Sequence, residues 1–182
     1  VRNIYQLDYN TLLFKLRKHN GRVFRLVLES GKRLHLTSYS REKPKFPPDF
    51  CMALRKYLRN CWLTNVEQYE FERVVTFTFK TWAGEMRLYL ELFGGGNVIL
   101  VDGDGEILHA LEYKRMRDRN ILRGEAFSFP PPIGKNPLSI EKEEFAEALK
   151  DSGDSEVVRA LVQTLSIGGF YAEEVLLQAA IE

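Results

Sequence analysis

The stretch Arg73-Val74-Val75-Thr76-Phe77-Thr78-Phe79-Lys80 decides the fold class, because apolar and polar residues alternate along it. Val75, Phe77 and Phe79 fall on one face and Thr76, Thr78 and Lys80 on the other, as in a strand with one buried side. Segments 63–69, 85–92, 97–101 and 107–111 have similar character. Gly94-Gly95-Gly96 and Asp102-Gly103-Asp104-Gly105 punctuate them, which predicts an antiparallel meander. Residues 1–7, 12–17, 23–28 and 33–36 read as an earlier strand block. There Asn20-Gly21 suits a type I′ hairpin, since both residues tolerate positive φ, and Ser30-Gly31 is a second hairpin candidate.

Between the blocks, Lys43-Pro44-Lys45-Phe46-Pro47-Pro48 cannot supply regular ladder hydrogen bonds and reads as a connector. Asp49 then reads as an N-cap. Phe50, Leu54, Leu58 and Cys61 follow at i, i+4, i+8 and i+11, an amphipathic helix whose opposite face carries Arg55, Lys56 and Arg59. Two antiparallel blocks flanking one helix imply an α+β fold built on a β-sandwich or open barrel, not a βαβ unit. Residues 113–135 read as a long loop ending in Pro130-Pro131-Pro132. Loops of that length inside a domain are usually functional or disordered. Helical stretches are expected near 140–150, 154–165 and 170–181, with Gly168-Gly169 breaking the last two. The boundary falls near residue 135, giving a β-rich body over 1–135 and a helical module over 136–182.

The composition, 45% hydrophobic and 12% aromatic, is that of an ordinary globular chain. No apolar run approaches the roughly 20 residues that cross a bilayer, and the first residues lack a signal-peptide stretch. A cytoplasmic protein with no membrane partner is expected. With Val rather than Met at position 1, the true N-terminus is expected upstream. Cys51 and Cys61 bracket the predicted helix, which argues against a disulfide and for buried thiols in a reducing cytosol. The net charge of +1 hides an asymmetry: +8 over residues 1–135 and −7 over 136–182. A basic body points to an anionic partner.

Catalytic patterns are thin. Gly94-Gly95-Gly96-Asn97 leads into a strand, whereas a phosphate cradle leads into a helix whose amides face the anion. The Asp102 turn lacks the Glu that closes a calcium loop, since position 113 is Tyr. His19, His35 and His109 have no metal-ligand spacing. The chain therefore reads as a non-enzyme without metal or cofactor.

Binding features are richer. Lys114, Arg115, Arg117 and Arg119 lie within six positions, Arg123 adds a fifth cation, and guanidinium forks suit phosphates and bases. A solvated loop in which Asp118 pairs an Arg internally is the plainer reading. On the helix, Arg55 and Arg59 stand i,i+4 and repel unless something anionic is near. Gly168-Gly169 opens a helix whose free amides attract phosphate, with Glu173 and Glu174 expected in its first turn.

Phe50-Cys51-Met52-Ala53-Leu54-Arg55-Lys56-Tyr57-Leu58-Arg59, the segment from Glu91 through Gly94-Gly95-Gly96-Asn97 to Asp102, and Tyr171-Ala172-Glu173-Glu174 together resemble the NFACT N-terminal domain. Fibronectin-binding-protein-A-like proteins and the nuclear export mediator factor belong to that family. The resemblance runs over the whole chain, and the Lys43-Pro44-Lys45 lead-in and the Arg115-Met116-Arg117-Asp118-Arg119 loop look closest to archaeal members. It implies a sandwich similar to the N-terminal domain of formamidopyrimidine-DNA glycosylase, followed by a helix-two-turn-helix module. It also implies ribosome-associated quality control: binding the large ribosomal subunit and tRNA in support of C-terminal tailing of stalled nascent chains. The family's Asp-Arg pair for tRNA engagement falls on Glu72-Arg73, where Glu keeps the charge and adds one methylene to the arm. A further family Asp is expected upstream of Val1, and the coiled coil beyond this sequence. The alternative is a glycosylase-like DNA-binding or repair protein. Its chemistry needs an N-terminal Pro beside Glu and a zinc finger, but the chain opens Val1-Arg2 and has no cysteine after Cys61, so no DNA partner is expected.

Overall fold

A computed structural model of the chain describes residues 1–182 apart from Ile133, Asp154 and Glu182. The chain divides into two compact units, one of Val1–Tyr69 with Arg73–Phe129 and one of Glu70–Glu72 with Pro130–Glu182.

In the first unit, β1 (Asn3–Gln6), β2 (Thr11–Arg17), β3 (Val23–Glu29) and β4 (Arg33–Leu36) form one antiparallel meander. After α1 (Asp49–Leu58) come β5 (Trp62–Gln68), β6 (Val74–Thr81), β7 (Gly84–Glu91), β8 (Asn97–Val101) and β9 (Ile107–Ala110), a second meander in sequence order. The sandwich expectation holds. Ile4, Leu12, Phe14 and Leu28 from the first sheet share a core with Phe77, Phe79, Leu88, Leu90, Val98 and Leu100 from the second. Cys51, Leu54 and Leu58 bring α1 into the same core. The rings of Phe14 and Phe79 stack across it at 6.4 Å. Cys51 and Cys61 are free thiols, and burial pushes both pKa values up.

The second sheet is covered on its other face too, so the one-sided pattern expected of β6 is only half right. Thr76 is buried, and every residue of β8 is buried. The cover is the segment expected to be a loop. It contains a small hairpin of β10 (Lys114–Arg115) and β11 (Asn120–Ile121), then a strap along β9. Ile107 N–H donates to Glu125 O at 2.9 Å and Phe127 N–H to Gly105 O at 2.8 Å. Phe127 stacks on Tyr89 at 3.8 Å and Phe129 on Tyr69 at 3.7 Å, over a second core of Val74, Ile99, Val101 and Ile121. Two-residue strands leave no periodic trace in sequence, which is why the strap reads as a loop.

Two local expectations are corrected. At Asn20-Gly21 only Gly21 takes a positive φ, and Gly21 N–H donates to Lys18 O. That is a longer turn ending in a left-handed glycine, since type I′ would need both residues left-handed. The N-cap of α1 is Pro48, with no side-chain cap bond; Asp49 lies in the first turn, where its charge complements the dipole.

Glu91 ties the pieces together. Its main-chain carbonyl accepts the Gly31 N–H at 2.9 Å, which seats the β3–β4 turn on the β7–β8 connection. Gly31 and Gly96, both with positive φ, meet backbone to backbone, and a Cβ on Gly96 would lie 2.0 Å from Gly31 N. The Glu91 carboxylate receives Arg119 Nη2 at 2.6 Å with both side chains almost fully buried (6% and 5% exposed), and Arg119 Nη1 reaches Ser128 O at 3.1 Å.

The second unit holds α2 (Lys142–Asp151), α3 (Val157–Leu165) and α4 (Gly169–Gln178). Leu161, Leu165 and Ala172 form its centre, with Phe145, Leu149 and Leu176 packed around them. The expected helix start at 154 lies outside the described residues. Because α4 begins at Gly169, Glu173 and Glu174 fall beyond its first turn, which corrects the expected dipole pairing. Ser166 ends α3 in the left-handed region (φ 52°).

Two stability predictions follow from this corner. Gly96→Ala should cost about 3 kcal/mol or more, because backbone must move, whereas Gly94→Ala, with open space around its Cβ, should cost only about 1 kcal/mol for its positive φ. Arg119→Ala should cost about 3–5 kcal/mol by stranding a buried carboxylate, and the pair Glu91→Leu with Arg119→Met should recover most of that loss. Urea-unfolding midpoints at constant slope read both comparisons.

Candidate nucleic-acid interface

The Glu91–Arg119 pair is the anchor of the basic hairpin. The internal pairing that sequence reading gave to Asp118 is made by Glu91, so Arg119 is turned inward instead of being offered to a ligand. Arg115 and Arg117 are exposed on either side of Met116, whose N–H donates to Arg119 O at 3.1 Å. Lys114 is half-buried and pairs with Glu112 at 2.7 Å. The buried pair thus anchors a short hairpin whose tip carries two unburied guanidinium groups.

The helix face resolves differently from simple repulsion. Arg55 Nε donates to Ile4 O at 2.6 Å, and its guanidinium lies over the Tyr5 ring at 5.3 Å, so Arg55 is partly committed to structure. Lys43 Nζ, from the lead-in, also lies over that ring, at 5.0 Å from its centre. Lys56 and Arg59 are exposed. Lys56 and exposed Arg123 both act on His109, on β9. Burial lowers the His109 pKa first, and the charges of Arg123 and Lys56 push it further down. His109 also contacts Tyr57 at 5.9 Å between ring centres. Lys56 of the helix and Arg123 of the strap, far apart in sequence, thus both act on the charge of one imidazole.

Glu72 is half-buried in the turn before β6, and Arg73 is exposed. The compact units separate them, Glu72 falling with the helical unit and Arg73 with the β-rich one. The Arg73 carbonyl accepts Leu92 N–H at 2.8 Å, and Val74 pairs with Glu91. Arg73 consequently leaves the sheet at the end where Glu91 holds the basic hairpin. Gly168 is the N-cap of α4, and both Gly168 and Gly169 are exposed.

A second feature escapes the sequence reading. Arg59, Trp62, Thr64, Lys80, Thr81 and Trp82 line a cavity of about 700 Å³ at the far end of β6. Trp62 starts the edge strand β5 and is 67% exposed; Trp82, in the β6–β7 turn, is 98% exposed. The available clue was a Trp between a threonine and Ala83-Gly84 at a hairpin tip, where no core position exists. Among the described residues, no group of three His, Cys, Asp or Glu could hold a metal ion, and no helix is long and apolar enough to cross a membrane.

The chain is 41% identical over 177 residues to the archaeal Rqc2 homolog aRqcH of Methanocaldococcus jannaschii, covering 94% of this chain and 26% of that protein. It is 32% identical over 186 residues to the ribosome quality control complex subunit NEMF homolog of Drosophila melanogaster, covering all of this chain and 18% of that one. The chain thus spans about a quarter or less of these relatives. The crystal structure of the N-terminal domain of the fibronectin-binding protein PavA from Streptococcus pneumoniae matches with a TM-score of 0.82 at 27% identity, over 99% of this chain and 72% of that one. The α+β fold of antiparallel sheets and four helices is therefore shared with a solved domain. The family model for NFACT N-terminal and middle domains matches residues 1–182, and the chain belongs to that family.

Proposed function

We propose that this chain is the RNA-binding module of a cytoplasmic ribosome quality control factor, one that holds tRNA against the large ribosomal subunit and performs no chemistry itself. The observation that carries the reading is the basic hairpin. Its Arg119 is neutralised internally by Glu91, while Arg115 and Arg117 are left exposed on a rigid support. Rigid guanidinium forks bind phosphate oxygens bidentately with little ordering cost. Arg73 at the same end of the sheet extends the surface; Glu72, and the cations Lys56, Arg59 and Arg123 of helix and strap, complete the proposed RNA-facing residues. Relatives named as ribosome quality control subunits support the setting. In this reading the module supports C-terminal tailing of stalled chains by positioning tRNA. The β-rich unit plays the part of the glycosylase-like sandwich, and α3 and α4, joined at Gly168, that of the helix-two-turn-helix, with Gly168 and Gly169 toward phosphate.

Charge reversal tests it. Arg115→Glu with Arg117→Glu in the full-length protein should weaken tRNA binding and co-sedimentation with large subunits by about tenfold or more at moderate salt. The slope of log affinity against log salt should fall by about 1–2, one phosphate contact per lost cation. Unchanged co-sedimentation and an unchanged slope would remove the hairpin from the interface.

A further inference from the structure

We propose that the cavity between Trp62 and Trp82 is a separate site for unpaired RNA bases, with the indoles as stacking platforms and Arg59 and Lys80 holding the backbone; it rests on the RNA-binding reading above. Three observations lead there. The first is exposure without structural duty. Trp82 is 98% exposed, and the turn it sits in is closed by Thr81 and Gly84: Thr81 Oγ1 donates to Gly84 O at 2.9 Å and accepts Ala83 N–H at 3.1 Å. The indole adds nothing to that turn, and an aromatic ring left in water carries an unfavourable hydration cost.

The second is geometry. Trp62 lies directly opposite Lys80 in the β5–β6 ladder, and Trp82 follows two residues on, so both rings and the ammonium share one cavity. Concave, aromatic and open, it admits flat rings. The third is charge. Among the described residues no carboxylate lines the cavity; Glu85, opposite Lys80 on β7, is already ion-paired with Arg87. An adjoining cavity of about 690 Å³ shares Trp62 and adds Arg17, Lys18 and His19, again with no acid among the described residues. A cationic groove with interleaved aromatic faces is how single strands are bound without sequence preference, each base offering a π-face. A duplex hides those faces in its stack.

Trp62 and Trp82 are the only tryptophans among the 182 residues, so in a protein of these 182 residues tryptophan fluorescence, excited selectively over the eight tyrosines, reads this groove. A ten-nucleotide single-stranded adenylate RNA should quench it saturably, whereas the same length of duplex RNA should not. Trp82→Ala should weaken the oligonucleotide by about tenfold with the melting temperature unchanged, and Lys80→Glu should weaken it and flatten its salt dependence. Equal affinity in Trp82→Ala, equal quenching by duplex, or quenching by phosphatidylglycerol vesicles in place of the oligonucleotide would each overturn the proposal. Oligonucleotide quenching that persists in the Arg115→Glu, Arg117→Glu variant supports a site separate from the hairpin. Intact tRNA binding with no quenching by the oligonucleotide overturns the groove alone and leaves the RNA-binding reading standing.

Discussion

The Glu91–Arg119 ion pair is a desolvated contact on which the arrangement of the first unit turns. Its net contribution to stability is small, because removing two charges from water costs about as much as their attraction returns. Its importance is positional. The carboxylate belongs to the last residue of β7, and the carbonyl of that same residue receives the Gly31 amide from the first sheet. One residue thereby sets where the first sheet's turn lands and where the basic hairpin stands. A charged pair does this better than an apolar one would, since Arg119 must satisfy both Glu91 and Ser128 O at fixed angles, while apolar contacts tolerate sliding.

The same logic shapes the surface. Several acids of the body are engaged by local cations: Glu29 by Lys32 and Arg33, Glu85 by Arg87, Glu112 by Lys114. For Glu29 the hydrogen bond from Lys32 is the largest reason its pKa lies below the usual carboxylate range. The excess positive charge of the body then falls on exposed groups such as Arg115, Arg117, Arg123 and Arg59. A polyanion meeting this unit encounters cations that are rigidly supported and not already compensated, which favours binding driven by counterion release.

What was legible in the sequence follows from what is local. Alternation in Val75–Phe77–Phe79 reports the core face directly, so the strands and the sandwich could be read to within a residue or two. Pairings between distant residues leave no such trace. Arg119 and Glu91 are 28 apart, and nothing in Lys114-Arg115-Met116-Arg117-Asp118-Arg119 marks which arginine turns inward. Likewise Thr76 looks like a solvent position until Tyr89 and Phe127 show that a strap covers that face. The unbroken apolar run of Val98 to Val101 was the available hint of two-sided burial. Trp62 and Trp82 pose the reverse difficulty: an aromatic residue reads as core by default, and only the hairpin-tip setting of Trp82 hints otherwise in the sequence.

The geometry of the sheet also constrains how one RNA could use both surfaces. Arg73 and the basic hairpin lie at the start of β6; Lys80 and Trp82 lie at its end. From Val74 to Lys80 a strand rises roughly 20 Å at about 3.3 Å per residue. Both ends belong to one hydrogen-bonded sheet with buried side chains on each face, so that separation is fixed. An RNA that engages both must present a backbone at one end and unstacked bases at the other, about 20 Å away. The second contact then forms at high effective concentration and multiplies the first. A plain duplex would meet only the hairpin end, and a short single strand only the groove. On the proposed RNA-binding reading, discrimination for structured RNA with an unpaired segment would follow from this spacing, with no base-specific hydrogen bond required.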